Sequence, residues 1–355
     1  MHLIQDLELL SPLLVEAGSR ENLRVVVYLT DRLYRSYPRV RQTLQARGVT
    51  YCILPYAAVF FGFVGNLKGF NALITAAESN ARAHRVAHVM VRQANRQGLR
   101  TYTLQHGFEQ PGLTYFDESS KPDSFKIVSQ KIFLWGEVGN LPKQVSQDIK
   151  SRCIAVGCPK PAIFRTQTPK PPEASCLISV FENLHWERYG ASYRDQFIKD
   201  LIQTAQTFPE AVFWVRPHPN NRWLAAERKD HLKGLSNIQL ADPKDPQWEL
   251  VTTPDLIAVS DAVITTPSTV ALDAARADRP TAVVGNDLDV ENYKPLVILR
   301  AAEDWKNFIR GIGGAACRTY QERGREFVKK NIISGEAARR ILDTILLEAA
   351  CLNLN

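Results

Sequence analysis

Two polar segments in the second half of the chain carry side chains suited to binding an anion. One apolar run ends in Arg216-Pro217-His218-Pro219, which places a guanidinium and an imidazole directly after a predicted buried strand. Another ends in four hydroxyl residues, Thr265, Thr266, Ser268 and Thr269, where an alanine-rich helical pattern begins. The N–H groups and positive dipole end of such a helix suit a phosphate or carboxylate. Because ligands of open α/β sheets bind beyond the carboxyl ends of the strands, we expect both segments to contribute to one site.

A third candidate follows the predicted strand Arg100–Leu104. His106 is followed by a glycine, which lets the backbone turn sharply at the carboxyl end of the strand. Imidazole is well suited to act as a general base near neutral pH. Glu109, and Glu78 after an earlier strand, are further catalytic candidates by position. The structural alternative is a histidine that hydrogen-bonds a carbonyl within its own turn.

More polar residues follow the first predicted strand of the second half, Ser175–Val180. Glu182, Asn183 and His185 lie just beyond its apolar core, where we expect them to face the bound ligand.

Strands and helices alternate along both halves, which predicts an α/β protein with parallel, doubly wound sheets. In the first half, we predict strands at 2–5, 23–29, 51–54, 71–76, 100–104, 131–136 and 152–157, and helices at 7–17, 37–46 and 80–97. In the second half, we predict strands at 175–180, 211–215, 237–240, 262–264 and 281–284, and helices at 193–208, 222–229, 254–259 and after Pro267.

A proline-rich segment and a glycine-rich loop interrupt this alternation, and a single helix ends it. Residues 166–173 are rich in proline and are interpreted as a linker, which predicts domains over residues 1–165 and 166–335. Residues 336–355 contain a final amphipathic helix from Glu336 to Ala350. The loop Phe60–Gly69 contains three glycines among aromatic residues, which indicates either a mobile loop or a hydrophobic plug between layers.

The anion-binding segments resemble the His-Pro and Ser/Thr motifs of bacterial GT-B glycosyltransferases that use cytidine-nucleotide donors. This group includes sialyltransferases, the Kdo transferases of capsule and O-antigen assembly, and CDP-glycerol glycerophosphotransferases. The Gln-His-Gly sequence at His106 is similar to another motif of these surface-polysaccharide enzymes. A strand ending in Trp135-Gly136, followed by Val-Gly-x-Pro at 156–159, adds to the resemblance.

The resemblance implies a GT-B fold, with two Rossmann-like doubly wound domains facing a central cleft. The first domain would bind the acceptor, the second would bind the donor, and the last helix would pack back on the first domain. Three residues carried over from the motifs would hold the phosphate and ribose of the nucleotide: His218, Ser268 and Thr269. The positions beside them add donor-binding candidates: Arg216, Asn183 and Glu182. His106 would be the catalytic base, with Glu109 and Glu78 as further catalytic candidates.

The implied activity is transfer of Kdo or a sialic-type sugar from CMP to a polysaccharide or lipid-linked acceptor in bacterial surface glycan synthesis. Enzymes of this fold use helix dipoles and basic side chains at the leaving group, so no metal is expected at Asp287 and Asp289. No cofactor is expected besides the donor substrate. Two alternatives stay open: a CDP-glycerol-type glycerophosphotransferase, whose Asp-Tyr-Ser-Ser and Trp-His-Gly forms this chain lacks, and a non-enzymatic glycan-binding module.

Composition indicates where such a protein would act. The chain has 355 residues and a formal charge of +7, with basic clusters near residues 82–100 and 318–330. Aromatic residues are not interleaved with these clusters, so we predict no nucleic-acid binding. An anionic membrane surface is a candidate partner, and solvated helix faces are the alternative. The six scattered cysteines and the lack of a long apolar run predict a cytoplasmic protein, and attachment to the periphery of the inner membrane would follow if the basic clusters bind lipid.

Overall fold

The chain forms two compact units in the computed structural model: one combines Met1–Pro161 with Asn331–Asn355, and the other is Ala162–Lys330. The structure describes residues 1–117, 121, 124–162, 168, 170–171, 174–219, 222–232 and 234–352. The predicted domain boundary at 165/166 and most of the predicted linker lie outside these residues.

Parallel strands in two sheets form the centre of the first unit. Its strands, numbered along the chain, are β1 (Val26–Thr30), β2 (Thr50–Leu54), β3 (Ala72–Thr75), β4 (Arg100–Leu104), β5 (Lys131–Leu134) and β6 (Cys153–Ala155). The first two pair with each other, and the other four form a sheet in chain order. The helices are α1 (Ile4–Gly18), α2 (Asp31–Ser36), α3 (Pro38–Ala46), α4 (Tyr56–Phe60), α5 (Arg85–Arg96), α6 (Gln147–Arg152) and α12 (Ala337–Leu352).

The start of the chain differs from the prediction. Residues 2–5 were predicted as a short strand, but α1 begins at Ile4. The Asp6 carboxylate accepts the N–H groups of His2 and Leu3, at 2.7 and 3.0 Å, which satisfies donors that the first helical turn leaves unpaired. Four residues are too few for periodicity to distinguish a strand from a helix start.

The helix predicted at 80–97 is shorter in the structure. It begins at Arg85, after a 3-10 turn over Arg82–His84. The hydroxyl of Ser79 organises this turn, because it accepts the N–H of Ala81 at 3.3 Å and lies 3.0 Å from Nδ1 of His84.

The second unit contains one six-stranded parallel sheet in the order β12-β11-β10-β7-β8-β9. Its strands are β7 (Cys176–Glu182), β8 (Ala211–Pro217), β9 (Ile238–Leu240), β10 (Ala262–Thr265), β11 (Thr281–Val284) and β12 (Val297–Leu299). Its helices are α7 (Ala191–Thr207), α8 (Thr253–Val259), α9 (Thr269–Arg276), α10 (Ala302–Ile312) and α11 (Ala316–Asn331). The chain builds outward from β7 in both directions, so the topological switch point lies between β7 and β10.

Hydrophobic side chains cover both faces of this sheet, as a parallel sheet requires. Ile178, Val180 and Phe213 pack in one cluster, whereas Leu177, Phe181 and Trp214 pack in the cluster on the opposite face. The helix predicted at 222–229 is a π-helical turn, Leu224–Arg228, followed by a 3-10 turn. The region from β12 to α11 had no predicted elements.

Two Rossmann-like units with parallel sheets confirm the predicted α/β fold class. Among the described residues, no helix is long and apolar enough to span a bilayer. Within the first unit, α12 contacts α1, and Arg20 donates to Asp343 across that contact at 2.7 Å.

Candidate functional site

The switch point of the second unit is joined by hydrogen bonds between the loops that follow β7 and β10. The N–H of Asn183 donates to the Thr266 hydroxyl at 3.2 Å, and that hydroxyl donates back to the Asn183 side chain at 2.5 Å. The Asn183 amide and the Tyr189 hydroxyl both donate to the carbonyl of Pro267, each at 3.2 Å. Asn183 therefore fixes the position of the segment that leads into α9.

The segment ends at the N-terminus of α9. Ser268 is extended and is the N-cap: its Oγ accepts the N–H of Val270 at 3.2 Å and lies 3.0 Å from the Thr265 hydroxyl. Thr269 is the first residue of the helix. The positive end of the helix dipole is thus held at the carboxyl edge of the sheet, beside β7.

Two histidines meet beside this edge. His185 follows β7 and His218 follows β8, and the centroids of their rings are 4.6 Å apart. Burial and the neighbouring His185 lower the pKa of His218 to about 4. Burial, and after it the charge of Arg194, lowers the pKa of His185 to about 4. Both imidazoles are therefore neutral near pH 7, and each can donate one hydrogen bond.

The buried Nδ1 atom of His185 makes no hydrogen bond to any of the described residues. A phosphate oxygen is one partner that could satisfy a ring N–H of this pair, and it would also favour protonation of the imidazoles.

Glu182 is the last residue of β7, and its side chain is only 3% exposed. One carboxylate oxygen accepts the N–H of Leu184 at 2.7 Å, whereas the other lacks a hydrogen-bond partner within the described chain. Burial raises the pKa of Glu182 to about 7. Glu182 can therefore change its protonation state near neutral pH, which makes it a candidate acid or base rather than a fixed charge.

This pKa shift predicts a pH-dependent stability. Because the folded-state pKa of about 7 exceeds the ordinary value of 4.5, the folded protein binds the proton more tightly than the unfolded chain between these values. The bound proton therefore adds to the free energy of unfolding. This stabilisation is complete below pH 4.5 and is lost as the pH rises through about 7, a change of about 3 kcal/mol in the free energy of unfolding. We expect Glu182→Gln to raise the unfolding temperature relative to wild type at pH 8 more than at pH 5, by thermal denaturation. An identical difference at both values would contradict this account.

Arg216 has a different environment from the one that the sequence predicts. Its guanidinium donates to the carbonyls of Ala241 at 2.8 Å, Trp248 at 3.3 Å and Val251 at 2.8 Å. Burial lowers the pKa of Arg216 to about 10, which still leaves it charged at neutral pH. The geometry does not support the prediction that Arg216 binds the donor, because these carbonyls engage both terminal nitrogens of its guanidinium.

His106 lies in a turn of the first unit, after β4. Its backbone N–H donates to the side-chain oxygen of Gln110 at 3.0 Å, and its ring contacts the ring of His84 with a centroid distance of 4.7 Å. Burial, and after it the nearby His84, lowers the pKa of His106 to about 3. Burial lowers the pKa of His84 to about 4. Both rings are therefore neutral near pH 7, the form in which a histidine can accept a proton.

Buried polar atoms without partners occur in this turn and in the first turn of α1. In the described part of the first unit, Nδ1 of His106 and the Gln110 side-chain nitrogen are buried without hydrogen-bond partners, and so is Oδ1 of Asp6. Buried polar atoms normally have partners, so these atoms are consistent with a hydroxyl-bearing ligand in this region.

The two catalytic carboxylates predicted by position are both buried. Glu78 accepts the N–H groups of Val128 and Ser129 at 2.9 and 3.0 Å, and its other oxygen lies 2.5 Å from Nδ1 of His88. Ser129 also donates its hydroxyl to Glu78 at 2.9 Å. This geometry favours a structural role for Glu78, which holds the segment before β5. Glu109 is 8% exposed.

Comparisons with solved structures show the fold. The chain aligns with the UDP complex of MnaA from S. aureus over 100% of its length and 96% of that chain, with a TM-score of 0.67 and 12% identity. It aligns with the UDP-GlcNAc 2-epimerase of Neisseria meningitidis bound to UDP-GlcNAc over 97% of its length and 98% of that chain, with a TM-score of 0.64 and 13% identity. It aligns with the wall teichoic acid polymerase TagF soaked with CDPG over 97% of its length and 85% of that chain, with a TM-score of 0.59 and 13% identity.

These similarities identify the two Rossmann-like units as a GT-B-type fold. At these identities they show the fold alone. No protein-family model matches the sequence, and the search of curated proteins finds no significant relative.

Some site features were absent from the sequence predictions. His84 lies within a predicted helix, so nothing in the pattern distinguished it from a core residue. The contact between His185 and His218 depends on β7 and β8 being neighbours, which the chain order of motifs does not reveal. Among the described residues, no group of three or more His, Cys, Asp or Glu side chains is placed to hold a metal ion.

Proposed function

We propose that the second unit binds the phosphate of a nucleotide-activated sugar and that the protein is a glycosyltransferase. The observation that carries the proposal is the arrangement at the switch point. The α9 N-terminus, capped by Ser268, lies at the edge of the sheet where His185 and His218 form a neutral pair. Such an arrangement offers hydrogen-bond donors and a positive dipole end to a phosphate without a fixed cation.

The proposed leaving group is this phosphate. When the bond between the sugar and the phosphate breaks, negative charge grows on the phosphate oxygen, and the helix dipole and imidazole N–H groups stabilise that charge. Because neutral imidazoles can become protonated beside an anion, the pair strengthens its interaction as charge develops. The mechanism requires no metal ion.

The proposed acceptor-side base is His106. Its neutral ring can accept a proton from an acceptor hydroxyl, and a negatively charged substrate nearby would raise its low pKa towards the working pH. Gln110 can hold the same hydroxyl through its side-chain nitrogen. Glu78 is left out of the chemistry because its carboxylate is already bound by neighbouring groups.

The donor that we propose is a CMP-activated acid sugar of the Kdo or sialic type, transferred to a polysaccharide or lipid-linked acceptor. This proposal rests on the resemblance of the His-Pro and Ser/Thr motifs. The glycerophosphotransferase alternative uses a related cytidine donor. A non-enzymatic glycan-binding module does not account for a neutral histidine cluster in each unit.

A second candidate function is epimerisation of a UDP-linked sugar. Two bacterial structures solved with UDP and UDP-GlcNAc favour this candidate. Their TM-scores, 0.67 and 0.64, are higher than the 0.59 of the teichoic acid polymerase. Both functions use a nucleotide phosphate site, so the base of the nucleotide separates them.

A thermal-shift panel of CMP, CDP, UDP and GDP tests this proposal. We expect CMP or CDP to raise the unfolding temperature, because a ligand present at about 100 times its Kd stabilises the folded state by about 2.7 kcal/mol. UDP and GDP at the same concentration should have smaller effects. Stabilisation by UDP alone would favour the epimerase, and no stabilisation by any nucleotide would refute the phosphate site.

A further inference from the structure

The loop between α4 and β3 presents two large apolar side chains to solvent. Phe61 is 73% exposed and Phe63 is 75% exposed. In the same loop, Val64 and Leu67 are buried against α5 in a small hydrophobic cluster. The sequence of this loop is compatible with a mobile loop or with a hydrophobic plug. Val64 and Leu67 pack in the hydrophobic cluster, whereas Phe61 and Phe63 stay outside it.

Hydrogen bonds hold this loop along α5. Near the start of the helix, Arg85 donates to the carbonyl of Phe60 at 3.2 Å. Just beyond its end, Gln97 donates to the Gly65 carbonyl at 3.2 Å and accepts the N–H of Leu67 at 2.8 Å. Gly62 and Gly65 have φ values of +104° and +68°, which other residues rarely adopt, and they allow the sharp turns around Phe63. These hydrogen bonds fix the backbone of the loop, and this backbone conformation places both rings at the surface.

The helix along which the loop is held, α5, carries exposed basic side chains. Arg85, Arg92 and Arg96 are exposed, and their spacings of seven and four residues place them on one face of α5. The region from residue 32 to residue 108 has eleven Lys and Arg residues and one acid, Glu78, whereas the whole chain has a net charge of +7. Glu78 is fully buried and offers no compensating charge at the surface.

We propose that Phe61 and Phe63 insert into an anionic membrane while the α5 arginines contact the lipid headgroups. Aromatic residues next to basic side chains are typical of surfaces that bind the interface of an anionic bilayer, where each part contributes to binding. This surface is independent of the nucleotide site, so it can be tested whether or not the proposed transferase activity is correct.

Single-stranded nucleic acid is the other partner that combines positive charge with aromatic rings. Such proteins stack bases on the faces of aromatic side chains along a groove. Here cations already cover the faces of the inner rings: the Arg85 guanidinium lies 4.8 Å from the centroid of Phe60, and that of Arg32 lies 5.5 Å from the centroid of Tyr56. The two exposed rings, Phe61 and Phe63, belong to the surface loop, and Phe61 packs edge-on against Phe60 with a centroid distance of 5.5 Å. This geometry favours insertion over stacking.

Vesicle flotation of the full chain tests the proposal. We expect binding to phosphatidylcholine vesicles that contain phosphatidylglycerol and none to phosphatidylcholine alone. The double variant Phe61→Ser, Phe63→Ser should weaken binding by about tenfold or more, because it removes the two rings that would enter the bilayer. Arg92→Gln with Arg96→Gln should also weaken it, and raising the salt from about 0.1 M to 1 M should do the same to wild type by screening.

The matched control replaces two exposed apolar residues outside this loop, Leu250 and Leu347, with serine. These leucines are 84% and 69% exposed. This control should bind vesicles like wild type, and circular dichroism should show that all variants are folded. The proposal is refuted if anionic vesicles are not bound, if the phenylalanine variant binds like wild type, or if the leucine variant loses as much. Binding of oligo-dT that depends on both phenylalanines, without vesicle binding, would assign the surface to nucleic acid instead.

Discussion

His106→Ala should lower the rate of sugar transfer by about 10²–10⁴-fold while leaving nucleotide affinity nearly unchanged. The reason is the division of labour proposed above, in which His106 accepts the proton of the acceptor hydroxyl and the second unit holds the nucleotide. Removing a proton acceptor from the reaction lowers kcat and kcat/KM together, without weakening donor binding. The measurement is release of nucleotide from the activated donor, with acceptor present, on wild type and variant side by side.

His231→Ala is a suitable control, because this histidine is exposed in a 3-10 turn of the second unit. It should change neither rate nor affinity. His106→Gln keeps most of the side-chain volume and guards against a misfolded alanine variant. Full activity in a folded His106→Gln protein would show that the imidazole carries no proton in the reaction.

Arg216→Met should destabilise the protein by about 3 kcal/mol or more. Methionine fills much of the same volume but leaves the carbonyls of Ala241, Trp248 and Val251 without the donors that hold their loop. Chemical denaturation of the variant and of wild type, followed by circular dichroism, measures the difference. Arg310→Met is the matched control: Arg310 is a half-exposed arginine paired with Glu303, so its loss should cost less than about 1 kcal/mol.

Arg216→Met can also fail in an informative way. A variant that is as stable as wild type but binds nucleotide weakly would support the sequence prediction that Arg216 binds the donor. Loss of stability with retained nucleotide binding at low temperature would assign the residue to the loop.

The fold was largely predictable because alternating apolar and polar segments specify parallel α/β units. Nearly every strand of the second unit appears close to its predicted position, since buried parallel strands are short, continuous apolar runs. The start of α1 was missed because its helix signal is one carboxylate, Asp6, that satisfies two N–H groups. The region from Val297 to Asn331 received no prediction although α10 and α11 are regular helices.

The site was harder to predict, because its contacts depend on which strands are neighbours. The sequence placed His218, Ser268, Asn183 and His185 at strand ends, but it did not reveal the order of the strands, in which β7 lies between β8 and β10. For Arg216, alternation along β8 already indicates a buried side chain, because it shares a face with Val212 and Trp214, which pack in the core. The backbone N–H groups that Glu78 accepts belong to Val128 and Ser129, about fifty residues further along the chain, and no local pattern reveals such contacts.

The most direct test of the account is calorimetric titration of CMP into wild type, His218→Ala and His106→Ala. The account predicts that wild type binds CMP and that His218→Ala binds it about tenfold more weakly or worse, since a hydrogen bond to a charged phosphate is lost. His106→Ala should match wild type. If CMP binds His218→Ala as tightly as wild type, or if His106→Ala loses binding as severely while folded, the assignment of the nucleotide to the second unit is wrong.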